Sequence, residues 1–169
     1  MVLKLFTLLI LSSLLINDHS PSLYESNKKR VNKILNNHWE DHKFSLTHLH
    51  LDTNELPELY RVSANDSDTL AYVWFDEAPG KIDNFNYMVI FDSTGKIEKV
   101  SILVYRENYG GEISSKRFLK QFIGKENGED MEYPSDIDGI SGATISVQSI
   151  TMALKKNSIE FQEIIGLIK

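Results

Sequence analysis

Residues 84–105 read NFNYMVIFDSTGKIEKVSILVY, and this stretch decides the fold of the 169-residue chain. From Asn84 to Phe91, large apolar side chains occupy every second position, which is the period of a β-strand. Residues 92–95 (DSTG) have the composition of a turn, and residues 96–105 return with a second apolar alternation. The stretch therefore predicts an antiparallel β-hairpin.

Before the hairpin, the spacing of apolar residues changes from that of a helix to that of β-strands. Residues 22–39 carry apolar residues at helical spacing, with basic residues between them. From residue 43 onward, alternation and β-branched or aromatic composition predict short strands around residues 44–50, 60–62 and 69–75. Residues 65–68 and the pair Pro79-Gly80 predict turns.

Helical patterns follow the hairpin, at residues 114–123, 145–156 and 160–168. Strands gathered first and helices gathered after them predict an α+β fold, with an antiparallel sheet packed against a few helices. A chain of 169 residues, 41% of them hydrophobic, suffices for one core but not for two substantial ones. We therefore expect a single domain.

Composition excludes several classes of protein. The 24 acidic and 18 basic residues give a net charge of −6, which argues against a nucleic-acid partner. The chain has no cysteine, so it forms no disulfide, carries no acylated cysteine and holds no thiolate-ligated iron–sulfur cluster.

The N-terminus indicates targeting. Lys4 precedes a mostly apolar run from Leu5 to Ile16, which suits a signal-peptide core but is short for a membrane span of about 20 residues. Because no Ala-x-Ala-like cleavage site follows, residues 1–20 are predicted to be either a signal peptide or an N-terminal membrane anchor, with a buried helix as the structural alternative. We assign residues 21–169 to the folded domain.

A motif of small and hydroxyl residues, DGISGATIS at residues 138–146, stands directly before a predicted helix. Gly139 and Gly142 allow a tight turn, and a helix start offers free N–H groups and a partial positive charge, so the motif could accept a phosphate. Ser141 acting as a helix N-cap would explain the same pattern without a ligand.

Three blocks together resemble the FMN-binding domain family: YRENYGGEI at residues 105–113, FLKQFIGK at 118–125 and DIDGISGATIS at 136–146. That family includes one component of the sodium-translocating NADH:quinone reductase, one component of the Rnf complex and small free-standing extracytoplasmic members. The large members carry Glu-Thr-Pro-Gly where this chain has residues 107–111, so the chain is more similar to the small ones. In the family, the threonine of Ser-Gly-Ala-Thr is esterified through the FMN phosphate by a flavin transferase, and that position here is Thr144.

The resemblance implies an electron-transfer protein with covalent FMN, a carrier or component of an oxidoreductase system more than a stand-alone enzyme. Its implied partners are the flavin transferase and membrane or soluble redox partners. It also implies a periplasmic or other extracytoplasmic location, consistent with the predicted targeting segment. The implied cofactor-binding residues are Thr144, Ala143, Gly142, Ser141, Ile145, Asp138, Gly110, Gly111 and Glu107. Tyr105, Tyr109 and Tyr133 are either neighbours of the flavin ring or ordinary packing residues.

Two other functions stay open at this point. A metal-binding module would use His38, His42, His48 and His50, which are spaced so that pairs share a helix or strand face. A flavin-free scaffold of a membrane redox complex is the other alternative, and the intact motif at residues 141–144 weighs against it.

Overall fold

A computed structural model describes residues 21–40, 43–50, 58–64 and 68–168. It confirms the hairpin, in which β4 (Asn84–Asp92) and β5 (Ile97–Val104) pair antiparallel. One carboxylate oxygen of Asp92 closes the turn by accepting the hydroxyl of Thr94 and the backbone N–H groups of Thr94, Gly95 and Lys96, at 2.7 to 3.0 Å. Gly95 has φ 101°, a conformation that favours glycine.

Three further strands extend the sheet beyond β4: β1 (Ser45–His48), β2 (Glu58–Ser63) and β3 (Thr69–Pro79). The order is β1-β2-β3-β4-β5, and every neighbouring pair is antiparallel. The predicted antiparallel sheet is therefore confirmed, with β3 continuing to Pro79, past its predicted end at residue 75.

The helices are α1 (Leu23–His38), α2 (Lys116–Leu119) and α3 (Thr144–Ile168). Ser22 caps α1, since its hydroxyl accepts the N–H of Glu25 at 3.2 Å. The single helix predicted over residues 114–123 is instead a broken series, in which α2 lies between two 3-10 turns, Gly111–Ser114 and Lys120–Phe122. The α+β class in a single domain is confirmed.

Both faces of the sheet are buried, because side chains of β3 and β4 alternate between two cores. Trp74 and Tyr87 point to the core shared with α3. Phe75 and Met88 point to the other core, which also contains residues of α1. The sheet therefore separates α1 from α3.

The prediction of two helices at residues 145–156 and 160–168 is wrong, because α3 is continuous. Asn157 and Ser158 lie between the two predicted helices, and both are buried and bonded to other elements. The Ser158 hydroxyl accepts the N–H of Gly128 at 3.2 Å. With its amide oxygen facing the sheet, Asn157 accepts from the Trp74 indole at 3.1 Å and the Tyr87 hydroxyl at 2.6 Å.

In the described part of the chain, no helix is both long enough and apolar enough to cross a membrane. Residues 1–20 lie outside the described residues, so the targeting segment stays a prediction.

Candidate functional site

Within the described ranges, the start of α3 leaves three backbone N–H groups without an acceptor. The N–H of Ala143 donates to the carbonyl of Ile140 at 3.0 Å, and the N–H of Val147 donates to the carbonyl of Ala143 at 2.9 Å. Between them, the N–H groups of residues 144–146 bond to no described group. Free N–H groups and the dipole of a 25-residue helix favour an anion at this end.

Ser141 does not cap α3, so that interpretation of the sequence is wrong. The helix begins at Thr144, which places Ala143 at the cap position and exposes Ser141 in the preceding turn. Gly142 has φ 80°, and a Cβ added there would meet no described atom within 4 Å. Glycine is therefore suited to this position by its backbone conformation and not by lack of space.

A cleft of about 480 Å³ lies beside Thr144, which is itself exposed. Three segments form it: the turn after β3, the segment after β5 and the start of α3. Its lining residues are Lys81, Ile82, Tyr105, Glu107, Asn108, Tyr109, Gly142, Ala143, Thr144, Ile145 and Ser146.

Gly110 packs the segment after β5 against the motif. It has φ 80°, and a Cβ added there would lie 2.8 Å from the Cβ of Ala143 and 2.9 Å from the hydroxyl oxygen of Tyr105. The Tyr105 hydroxyl donates to the carbonyl of Tyr109 at 3.0 Å and lies 3.0 Å from the hydroxyl oxygen of Ser146. Because Tyr105 has one proton to donate, Ser146 is the donor in the second contact.

The structure brings most, but not all, of the sequence-predicted site residues to this cleft. Glu107 and the motif residues 142–145 line it, and Gly110 lies behind Ala143. Ser141 is exposed outside the lining. Gly111 and Asp138 line two neighbouring surface hollows, one over residues 108–115 and one between α2 and the motif.

Sequence reasoning missed Lys81, Ile82 and Asn108. The Pro79-Gly80 pair predicts a turn, but nothing local in the sequence indicates that this turn lies beside the segment after β5. Of the three tyrosines considered as ring neighbours, Tyr105 and Tyr109 line the cleft. Tyr133 lies against Gly139, where its ring would contact an added Cβ at 3.1 Å.

The metal hypothesis finds no coordination site among the described residues, where no group of three or more potential ligands occurs. His38 contacts the Glu98 carboxylate at 3.1 Å. His48 and His50 contact each other at 3.2 Å, and His42 lies outside the described residues.

The protein is an α+β domain with a cleft beside a helix start whose first N–H groups are free among the described residues. Residues 80–157 match the model of the FMN-binding domain family, a span that contains every residue lining the cleft. The match supports an FMN-binding domain over residues 80–157, with FMN as its cofactor. No curated protein matches the chain.

The residues of the cleft fit FMN. The free N–H groups at the start of α3 and the exposed Thr144 suit its phosphate. Ile82, Tyr109 and Ile145 are 80%, 83% and 47% exposed, so their side chains are available to pack against its apolar ring. The cleft volume of about 480 Å³ also falls in the range usual for cofactor sites.

Proposed function

We propose that Thr144 carries FMN covalently, through a phosphoester between its hydroxyl oxygen and the FMN phosphorus. A flavin dinucleotide would supply the group: its pyrophosphate bond breaks as the new phosphorus–oxygen bond forms, a nucleoside monophosphate leaves, and the hydroxyl proton passes to solvent. The observation that carries this proposal is the position of Thr144. It is the first residue of α3 and is exposed in the cleft. Its own N–H and the next two N–H groups bond to no other group of the described residues.

The electrostatics of the helix start support the same attachment point. An FMN phosphodiester keeps one negative charge, and that charge at a helix N-terminus is stabilised by about 0.3–1 kcal/mol. Gly142 and Ala143 present little side chain beside Thr144, so the phosphate and ribityl chain have room to lie against the backbone. Lys81 adds a positive charge to the cleft lining.

The role we propose is that of an electron carrier between redox partners. Bound FMN supplies one- and two-electron transfer, and the protein supplies position and electrostatic environment. The described lining contains no histidine, and its one carboxylate, Glu107, accepts a backbone N–H, so the cleft offers little for acid–base chemistry on a substrate. Ile82, Tyr109 and Ile145 are exposed around the cleft, where a docking redox partner could contact them.

We also propose that the protein is exported and receives FMN outside the cytoplasm from a flavin transferase. The support is the resemblance to small extracytoplasmic members of the family, together with the targeting pattern of residues 1–20. Membrane or soluble redox partners would then meet the protein at the extracytoplasmic side. Comparing the mass and location of the chain expressed with and without residues 1–20 tests this part; equal flavinylation of both in the cytoplasm would contradict it.

Intact mass spectrometry after export with an active flavin transferase tests the covalent linkage. The wild-type chain should gain FMN less one water, and Thr144→Val, which keeps the shape of the side chain but removes the hydroxyl, should gain nothing. Ser141→Ala is the matched control, because it removes a neighbouring exposed hydroxyl and should leave the adduct intact. An unmodified wild type, or a modified Thr144→Val, would contradict the proposal.

A further inference from the structure

We infer that the outward side of α1 docks on anionic lipid headgroups and so orients the domain on a membrane surface. The basic face of α1 consists of Lys29, Arg30 and Lys33, all of them exposed. No α1 residue lines the FMN cleft, so lipid docking neither requires nor excludes FMN on Thr144.

Charge is distributed unevenly over the molecule. The helix α1 contains four basic residues and one acidic residue, a net charge of +3, whereas the whole chain has a net charge of −6. The rest of the chain therefore has a net charge of −9. An anionic surface repels such a protein unless a positive face is turned toward it, so this contrast favours one orientation.

The charges of the basic face are not neutralised by neighbours. Lys28, on the flank of the helix, pairs with its only acidic residue at 2.9 Å. Within the described residues, Lys29, Arg30 and Lys33 form no ion pair. Lys29 and Lys33 stand two positions before and after the buried Val31, about 200° around the helix, so they point away from the sheet.

Contacts at both ends fix α1, and with it the basic face, on the sheet. At its start, the backbone N–H of Tyr24 donates to the carboxylate of Glu58 in β2 at 3.1 Å. At its end, His38 contacts the carboxylate of Glu98 in β5 at 3.1 Å. Between them, Val31 is fully buried. The orientation of α1 on lipid is therefore the orientation of the whole domain.

The position of α1 along the chain favours lipid as the occupant of the basic face. The predicted targeting segment, residues 1–20, ends directly before α1. Acting as a membrane anchor, one of its two predicted roles, that segment would hold α1 at the lipid surface and raise the effective concentration of headgroups. Lys and Arg near an anionic membrane then each strengthen binding, within a Debye length of about 8–10 Å.

Another exposed basic group, Lys116, Arg117 and Lys120, is less suited to this contact. Arg117 and Lys120 share a surface hollow with Glu112 and Asp138, whose negative charges oppose an anionic surface. Residues 26–37 of α1 include no acidic residue at all. The second group has the same composition as the basic face and therefore provides a matched control.

Docking through α1 leaves the FMN cleft accessible. The helix α3, whose start forms one side of the cleft, packs on the face of the sheet opposite to α1. Lipid would therefore cover the α1 side, and a redox partner would approach from the other.

Vesicle partitioning of the full chain tests the docking. Phosphatidylcholine vesicles are compared with vesicles that also contain about 30% phosphatidylglycerol. The wild type should prefer the anionic vesicles, and salt at about 0.5 M should remove this preference. The variant Lys29→Gln/Arg30→Gln/Lys33→Gln should lose about a hundredfold of it, about fivefold for each charge. Residues 1–20 act in both compositions, so the ratio reports the charged surface.

The control variant is Lys116→Gln/Arg117→Gln/Lys120→Gln, which removes the same three charges elsewhere. It should keep the preference within about threefold, because a change in net charge alone acts through a screened field. Equal losses in the two variants, or equal binding of the wild type to both kinds of vesicle, would overturn the inference. In the second case, an acidic protein would remain as the kind of partner that the basic face fits.

Single labels test the orientation, since the chain has no cysteine of its own. An environment-sensitive dye is attached to Asn36→Cys, at an exposed position of α1, or to Met152→Cys, at a position of α3 that is 71% exposed. Anionic vesicles should shift the emission of the first dye to the blue and leave the second unchanged. The opposite pattern, or the same response at both positions, would contradict docking through α1.

Discussion

Three glycines of the site differ in what their positions require, and this difference can be measured. Gly110 combines φ 80° with neighbours 2.8 and 2.9 Å from an added Cβ, whereas Gly142 has φ 80° but open space. Gly111 has neither a positive φ nor a described neighbour within 4 Å. Alanine at the three positions therefore separates backbone strain from close approach.

We predict that Gly110→Ala is the most destabilising of the three, by about 1–3 kcal/mol, because it strains the backbone and displaces Ala143 from the segment after β5. Gly142→Ala should cost about 1 kcal/mol from its φ alone. Gly111→Ala, the control, should change the free energy of unfolding by less than about 0.5 kcal/mol. Urea denaturation measures the order, and a Gly110→Ala chain as stable as Gly111→Ala would contradict it.

Asp92 gives the hairpin turn a dependence on pH. Partial burial favours the neutral acid, but the hydrogen bonds from the Thr94 hydroxyl and from three backbone N–H groups outweigh it and lower the Asp92 pKa below its ordinary value. Because the folded state has the lower pKa, this stabilisation is present above the unfolded pKa and is lost as pH falls through the folded one. The effect therefore belongs to the range below about pH 4.

We predict that Asp92→Ala lowers the free energy of unfolding by about 1–2 kcal/mol at about pH 7. The difference from the wild type should shrink as the pH falls below about 4, since the wild-type carboxylate is then protonated. Asp68→Ala, at an exposed acidic position, serves as the control. Denaturant midpoints measured from about pH 7 to about pH 2.5 check the trend, and a pH-independent difference would exclude the carboxylate as its cause.

At the scale of elements, α3 joins the proposed cofactor site to the core. Its first turn contains Thr144 and Ser146, and its middle contains Asn157, which bonds Trp74 of β3 and Tyr87 of β4. The sequence did not reveal this continuity, because an Asn-Ser pair inside an apolar pattern usually indicates a break. The bonds that make these polar residues tolerable come from distant elements.

We predict that Asn157→Ala lowers the free energy of unfolding by about 1–3 kcal/mol, because the Trp74 indole N–H is left buried without an acceptor. Gln148→Ala, at an exposed position of the same helix, should lie within about 0.5 kcal/mol of the wild type. Urea denaturation of both variants makes the comparison. Equal stability would show that Asn157 contributes no more than a surface residue.

The elements that were predictable are those whose signal is local. The hairpin followed from alternation on both sides of a DSTG turn, and α1 followed from helical spacing behind Ser22. The turn over residues 80–83 was predictable as a turn but not as part of the site, because its contact with Glu107 spans 25 residues. Because β4 pairs antiparallel with both β3 and β5, the end of β3 and the end of β5 lie at the same end of the sheet.

At the scale of the whole molecule, the folded domain extends beyond the residues that match the family model on both sides. Residues 80–157 contain β4, β5 and part of α3, but not β3, whose pairing with β4 extends from Ala71 to Pro79. Trp74 of β3 and Phe161 of α3 are fully buried in the core beneath the site and lie outside the match. The described residues on both sides of the match are therefore part of the same folding unit.

We predict that residues 80–157 expressed alone do not fold cooperatively, whereas residues 21–169 do. Loss of β3 exposes both cores at β4, and loss of the end of α3 uncovers Phe91, which stacks on Phe161 with ring centroids 4.3 Å apart. Thermal unfolding followed by near-ultraviolet circular dichroism compares the two chains. A cooperative transition in the shorter one would show that the match is self-sufficient.

Thr144 is the residue on which we place FMN, at the start of α3. Peptide mapping by tandem mass spectrometry of the full chain, exported together with an active flavin transferase, tests this placement most directly. We expect an adduct of FMN less one water on the fragment ions that contain Thr144. An adduct on another residue would contradict it, and so would an exported chain that carries no adduct although the flavin transferase is active.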